Sequence, residues 1–480
     1  MIARTGKNSH WGQFLLIAFL VLLPTIAYPH AFGRRYDLPL PLSFYLSAAA
    51  IAVAASFVVT FFFMRPNPAR RLQSRFLLKP RLTILLCNLL RLLGLFVLIL
   101  ILTTALIGDA SPTKNLATVT VWVLWWVGMT LFTALIINLW PLLNPFYTIA
   151  QWVCRFMPTQ PQPLPTIASY VAVSGFLFLS WIELVSDISE TPVQLFWLII
   201  IYLFFSCLCA RRYGIDTWFK HADPLTRMFD FFGRVAPLGF TPATGLVIRL
   251  PGSGLIQSAE TQSKKPSVIF IIALISVVLF DGLSETPIWQ EILNFITQSP
   301  AWRPLLLDMK SMGIDILALL KTSGLLIVFL AAIVTYCVLC FFIWLAVSRR
   351  VPLGIIAWRF APSLLPIAIA YHLAHYISYL LLAGQLILPI LSDPFAMGWD
   401  LFGTRVLRID LSVINAEDVW WIAMAAIIIG HIIAVFVSHH EAQLLFPQRT
   451  LAIRSQIPMM IFMALLTFCS LWILAQPIIN

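Results

Sequence analysis

Five of the chain's eight histidines fall between Tyr371 and Ala442. They stand in the runs Tyr371-His372-Leu373-Ala374-His375-Tyr376, Gly430-His431 and Ser438-His439-His440-Glu441. Imidazole is the commonest metal ligand and a proton carrier near neutral pH. His372 and His375 are spaced i, i+3, so on a helix they share a face. Three or four converging imidazoles would suit zinc, copper or iron. A metal held there would lower the pKa of a bound water and supply hydroxide to an electrophile. The competing reading is structural, with the histidines hydrogen-bonding between helices and Tyr371 and Tyr376 as partners.

The segments that carry these residues are apolar and long. The run from Ala361 to Leu391 holds the first pair, and Val419 to Val437 holds His431; each can cross a bilayer. Ionisable side chains inside a membrane are costly and face the bundle interior or a polar cavity. Hydrophobic residues make up 60% of the chain and charged residues 11%, against roughly 25% charged in a soluble domain. The expected fold is therefore all-α and polytopic. Outer-membrane barrels are excluded, because their strands alternate polar and apolar over about ten residues. Expected spans are 12–28, 42–64, 83–107, 117–139, 166–186, 193–210, 267–283, 318–347, 359–391, 419–438 and 457–476, eleven helices in one membrane domain over 1–480.

Helical rise then gives depth. In an unbroken helix His375 lies about 24 Å from Leu391, and His431 about 18 Å from Val419, at ~1.5 Å per residue. On adjacent antiparallel helices His372, His375 and His431 would meet in the inner half of the membrane. His439 or His440 would lie at the mouth, as a fourth ligand or proton shuttle.

Basic residues orient the bundle. With the N-terminus inside and the C-terminus outside, inner segments hold 22 Lys plus Arg (Arg359, at a span edge, included) and outer segments 7. This obeys the positive-inside rule, with the basic side toward the cytoplasm. The net charge of +11 is explained by topology and anionic lipid, with no need for nucleic acid. Arg4 and Lys7, Phe14–Leu23 and Thr25-Ile26-Ala27 make 12–28 either a signal anchor or a signal peptide cleaved after Ala27. Cleavage would leave ten helices and an outer N-terminus.

The longest inner segment, 211–266, mixes aromatic and basic residues and is expected to lie as an amphipathic element on the cytoplasmic surface, with 250–266 a flexible loop. Ser189-Glu190-Thr191-Pro192 and Ser284-Glu285-Thr286-Pro287 echo each other. They read either as a parallel repeat of the transporter kind or as recurring helix-end signals. Cys337 and Cys340 share a helix face, which suits packing better than redox chemistry.

Most acidic residues belong to outer loops. Glu183 and Asp281 differ, standing in apolar surroundings where an unpaired carboxylate is expensive. In the expected periplasmic loop 392–418, Ser392-Asp393-Pro394-Phe395 and Gly398-Trp399-Asp400-Leu401-Phe402-Gly403-Thr404 are rich in turn residues and aromatics. Asp393 and Asp400 would order a cavity entrance there, together with the stretch from His30 to Pro39.

These residues carry a resemblance. The run from Ala361-Pro362-Ser363-Leu364-Leu365-Pro366 through Tyr371–Tyr376, Gly384-Gln385, Ser392–Phe395 and Gly398–Thr404 resembles a bacterial membrane family labelled fenitrothion hydrolases. Gly33 to Pro41, Asn144-Pro145, Arg234-Val235-Ala236-Pro237-Leu238 and Asp281-Gly282-Leu283 are similar too, so the likeness spans most of the chain. It departs at Tyr28-Pro29-His30 and in the doubled His439-His440. The resemblance implies hydrolysis of organophosphorus triesters and a partner subunit of similar sequence. The resulting expectation is a membrane-embedded, metal-dependent hydrolase of hydrophobic triesters in a bacterial inner (cytoplasmic) membrane. His372, His375 and His431 would be ligands of a divalent zinc, copper or iron ion, and His439, His440, Asp393 and Asp400 catalytic or ordering groups. The alternative is a transporter, or a membrane subunit of a larger complex, that uses the histidines for metal or protons.

Overall fold

The computed structural model describes residues 41–63, 74–76, 79–242, 245–257 and 264–476. The expected span at 12–28, His10, His30 and the pair Arg70 and Arg71 lie outside the described residues. Among the described residues, nine helices are long and apolar enough to cross a membrane. The chain is thus a nearly all-α, multi-pass membrane protein. The helices that matter below are α1 (Leu42–Phe63), α2 (Pro80–Ile107), α3 (Leu116–Leu135), α4 (Ala168–Leu184) and α5 (Pro192–Tyr213). They continue with α6 (Pro224–Gly233), α7 (Lys264–Ser284), α8 (Ile316–Ala346), α9 (Leu365–Ala383), α10 (Ala416–Leu445) and α11 (Arg449–Leu474). Every expected span from 42 onward has its helix, although α4 is short at 17 residues.

Local chemistry sets the helix starts. Pro80 and Pro192 stand in the first turns of α2 and α5, where a missing N–H leaves no bond unmade. Asn415 accepts from the Asp418 N–H, and Asp315 from those of Leu317 and Ala318, capping α10 and α8. The two Pro-containing inner motifs act likewise. The Asn144 side chain accepts from Tyr147 N and the Asp223 side chain from Thr226 N, each followed by proline. In the outer echo, Thr286 caps Trp289 through its side chain, whereas Thr191 makes no such bond.

The span expected at 359–391 is not one helix. A helix over Leu353–Phe360 passes into a 3-10 turn at Ala361–Leu364, then α9, then a second 3-10 turn at Gly384–Leu386 and a last helix at Ile387–Ser392. Pro362 and Pro366 lack the N–H that an unbroken helix would use. At the second break, Gln385 donates to the carbonyls of Leu381 and Asp410.

The segment 211–266 also differs from expectation. Eight of the ten residues of α6 are buried, because its Phe229, Phe231 and Phe232 join the bundle core. Strands β1 (Ser74–Phe76), β2 (Leu238–Thr241) and β3 (Gly245–Ile248) form an antiparallel sheet in the order β1-β3-β2. Arg249 ties it to α6 by donating to the carbonyls of Gly233 and Ala236. Gly252 through Ile256 are buried rather than a loose surface loop.

α7 lies at the centre, with most of its residues buried, packed by α4, α8 and α9. α9 in turn packs along α10. At Gly430 of α10 an added Cβ would fall 2.4 Å from Ala370 Cβ and 2.8 Å from Pro366 O, so glycine sets how close these helices come.

Candidate functional site

A polar cluster lies near one end of the bundle, where α4, α7 and α9 meet. Asp281 stands three residues before the end of α7, and Glu285 one residue beyond it. His375 comes from the middle of α9 and Glu183 from the last turn of α4. His375 Nε2 is 2.9 Å from Asp281 Oδ2. The Tyr376 hydroxyl donates to that same Asp281 oxygen and lies 3.5 Å from Glu183 Oε1. Trp126 of α3 is beside the Glu183 carboxylate, whose Oε2 is buried without a partner. Asp281, Glu285 and His375 each offer a ligand atom, all within 4.8 Å of one another.

His372 and Tyr371 complete the surroundings. The His372 ring centroid is 4.6 Å from that of Tyr376, and its buried Nε2 has no partner. The Tyr371 hydroxyl is likewise buried and unpartnered. It fits because position 282 is glycine: a Cβ there would lie 2.6 Å from the oxygen.

Of the three expected ligands, the structure brings His372 and His375 to this cluster and leaves His431 out of it. His431 is fully buried, and its Nδ1 is 2.8 Å from the Ile427 carbonyl of its own helix. The reason is depth. α9 ends at Ala383, so His375 is about 12 Å from the helix end, whereas His431 lies about 22 Å along α10, at ~1.5 Å per residue. The level of His431 is marked by Gly430, which faces Pro366 and Ala370, a turn or more before His375.

His439 and His440 also stay away from the cluster. His439 Nδ1 is 2.8 Å from Gln456 Oε1, and Gln443 Nε2 donates to its Nε2 at 2.8 Å. The Nδ1 contact holds α10 to α11, while Nε2 is taken by Gln443 one turn along α10 itself, so both ring nitrogens are engaged away from the cluster. His440 is buried one residue on. Glu441 pairs with Arg359 at 3.2 Å.

Asp393 and Asp400 fold the loop after Ser392. Asp393 accepts from the N–H groups of Met397 and Gly398 at 2.8 and 2.9 Å. Asp400 accepts from Ser392 Oγ at 2.9 Å and from Arg405 N at 3.1 Å. The Arg405 N–H, then the Ser392 hydroxyl, hold the Asp400 carboxyl below its ordinary range. These carboxylates order the loop.

The donor set is a test of whether a divalent ion fits. Two carboxylates and one imidazole are hard and borderline donors of the kind that hold zinc or iron. The 2.9 Å between His375 and Asp281 matches two ligands on one ion at ~2.0–2.2 Å each, which lie about 3 Å apart. Hydrogen bonding of Asp281 by Tyr376 is the outer support such ligands need. The residues present therefore fit a metal, through Asp281, Glu285 and His375 rather than three histidines.

The sequence does mark Glu183 and Asp281 as carboxylates in the wrong surroundings, and Tyr376 as a hydrogen-bond partner. It does not pair them with His375, because the partners stand 95 and 193 residues from Tyr376 along the chain. No protein-family model, curated protein or solved structure matches this chain.

Proposed function

We propose that the protein is a membrane-embedded, metal-dependent hydrolase of hydrophobic organophosphorus triesters. The observation that carries this reading is the convergence of Asp281, Glu285 and His375 within 4.8 Å, inside an apolar bundle. The resemblance to fenitrothion hydrolases names the reaction class. A divalent ion, zinc or iron by donor type, supplies Lewis acidity to a phosphoryl oxygen and acidifies water when bound.

The chain's own residues do the rest. Asp281, Glu285 and His375 would hold the ion, and Tyr376 fixes the Asp281 carboxylate. His372, one turn from His375 with an unpartnered Nε2, accepts the proton of the attacking water. Water adds to phosphorus, the P–O bond to the aryl group breaks, and the aryloxide leaves as a diester forms. An uncharged triester needs no arginine for binding, and the apolar walls keep bulk water out. Metal analysis of the purified protein, with turnover of a p-nitrophenyl dialkyl phosphate, tests the reading. Wild type should bind about one ion per chain, and Glu285→Gln should lose both ion and turnover. A metal-free, inactive wild type would end it.

The rest of the expectation belongs to the same proposal: an inner-membrane location, a homologous partner subunit, and the basic end facing the cytoplasm. Cysteines at 71 and 400 report the orientation. Only position 400 should react with an impermeant reagent on intact cells.

A second reading has its own support. Glu183, Tyr376, Asp281 and His375 form one line of hydrogen-bonded titratable groups, as in a proton-coupled transporter. Uptake into vesicles driven by a pH gradient, with no hydrolysis product, would favour it.

A further inference from the structure

Beside the cluster, on the other side of Trp126, is a second feature that the proposed hydrolysis does not use. A cavity of about 290 Å³ lies between α2, α3, α4 and α5. Its inner wall comes from Val119–Met129, an eleven-residue π-helix in the middle of α3. Such i→i+5 stretches are rare, are mostly single turns, and occur often at functional sites. This one lines the cavity with Trp122, Trp125 and Trp126, and Trp140 adds a fourth indole 5.3 Å from Trp125.

The lining has almost no polarity to offer. Trp122 Nε1 donates to the Ser189 carbonyl, and the Tyr202 hydroxyl is engaged by Asp223. Empty apolar cavities stay dry and admit hydrocarbon; one of about 150 Å³ takes a benzene ring. Twice that volume accommodates a chain of about ten to twelve carbons. The cavity also reaches the outside of the bundle. Leu93 lines it and is 50% exposed on α2, a candidate membrane span, so the opening faces lipid. At the opposite end Trp126 both lines the cavity and adjoins Glu183.

We infer that this cavity takes the hydrocarbon chain of a substrate entering sideways from the bilayer, with Trp126 as the partition between chain and reacting group. The native substrate is then a neutral phosphotriester bearing one chain of about ten to twelve carbons. The assignment of the reacting group rests on the proposed hydrolysis, while chain binding does not.

The test is photolabelling in nanodiscs with a dodecyl dimethyl phosphotriester carrying a mid-chain diazirine, against phosphatidylcholine with the same diazirine. The triester should label Trp125 and the buried Trp140, and not only the lipid-facing Leu92, Phe96 and Trp197. Leu198→Trp, which fills the cavity, should cut that labelling at least fivefold and raise KM for the dodecyl ester at least fivefold. KM for a short-chain ester should not move. Leu198→Ala, which enlarges the space, should label at least as strongly as wild type and guards against misfolding of the larger variant. Labelling confined to the outer residues, or cavity labelling by phosphatidylcholine alone, overturns the inference. Labelling of Trp140 by the triester in a protein that hydrolyses nothing removes the hydrolase reading and leaves the chain site standing.

Discussion

His375 of α9 sets its Nε2 2.9 Å from Oδ2 of Asp281, near the end of α7. The pair joins two buried spans that are 94 positions apart in number, and Tyr376 secures the same oxygen from the next position on α9. Removing either partner separates two roles. His375→Ala and Asp281→Asn should each lower hydrolysis per folded molecule by more than about a hundredfold, beyond the 10–100-fold typical of supporting residues. Both should lose bound metal. His431→Ala should keep its metal. Elemental analysis beside turnover decides.

Tyr376→Phe removes one hydroxyl from two carboxylates. Asp281 and Glu183 would lose a shared partner in a buried site, at about 1–3 kcal/mol. A lower unfolding temperature with retained but weakened metal binding is the expected result. An unchanged melting curve would show that the hydroxyl is not holding the cluster together.

His439 predicts the opposite pattern. Its ring bridges Gln443 and Gln456, so His439→Ala strands the buried Gln456 amide and should destabilise by about 1–3 kcal/mol. Turnover per folded molecule should stay near normal. A specific loss of turnover would return this residue to the chemistry.

Gly430 tests helix spacing. Alanine there places a carbon 2.4 Å from Ala370 Cβ, and overpacking of this kind costs about 1–3 kcal/mol. Gly430→Ala should melt earlier than wild type and Gly430→Val earlier still, read by a thermal shift in detergent.

The outer loop should respond to acid late. The folded Asp400 carboxyl lies below its ordinary value because of the Arg405 N–H and the Ser392 hydroxyl. A depressed folded pKa gives stability that is present above the unfolded value of ~3.9 and lost as pH falls through the folded one. Limited proteolysis should find residues 392–405 protected at pH 5 and cleaved only below about pH 4. Asp400→Asn should be cleaved across the whole range.

Much of this architecture is readable from residue type. Long uncharged runs mark the spans, and Pro80, Asn415 and Asp315 mark where helices begin. The length of 359–391 suggests a tilt, a kink at Pro366 or an extension beyond the bilayer; what escapes is a run broken twice into separate helices. Ala361–Leu364 and Gly384–Leu386 are short and uncharged, so a span-length hydropathy average runs straight through both breaks. Read as one rod, the run puts His375 deeper in the membrane and beside His431. Glu183 and Asp281 are conspicuous as carboxylates among leucines and valines. Their partner is not, since nothing local on α4 or α7 specifies a tyrosine and a histidine on a helix made much later.

That interval has a consequence for how the protein is made. Asp281 leaves the ribosome 95 residues before Tyr376, and Glu183 leaves it 193 residues before. At ~5–20 residues per second these gaps are about 5–19 s and 10–39 s. For that time two acidic side chains wait in or beside the membrane with their partners unmade. The last third of the chain therefore completes the site and also relieves two stranded carboxylates. A nascent chain halted before α9 should be held by the insertion machinery or degraded, whereas one halted after α9 should be released.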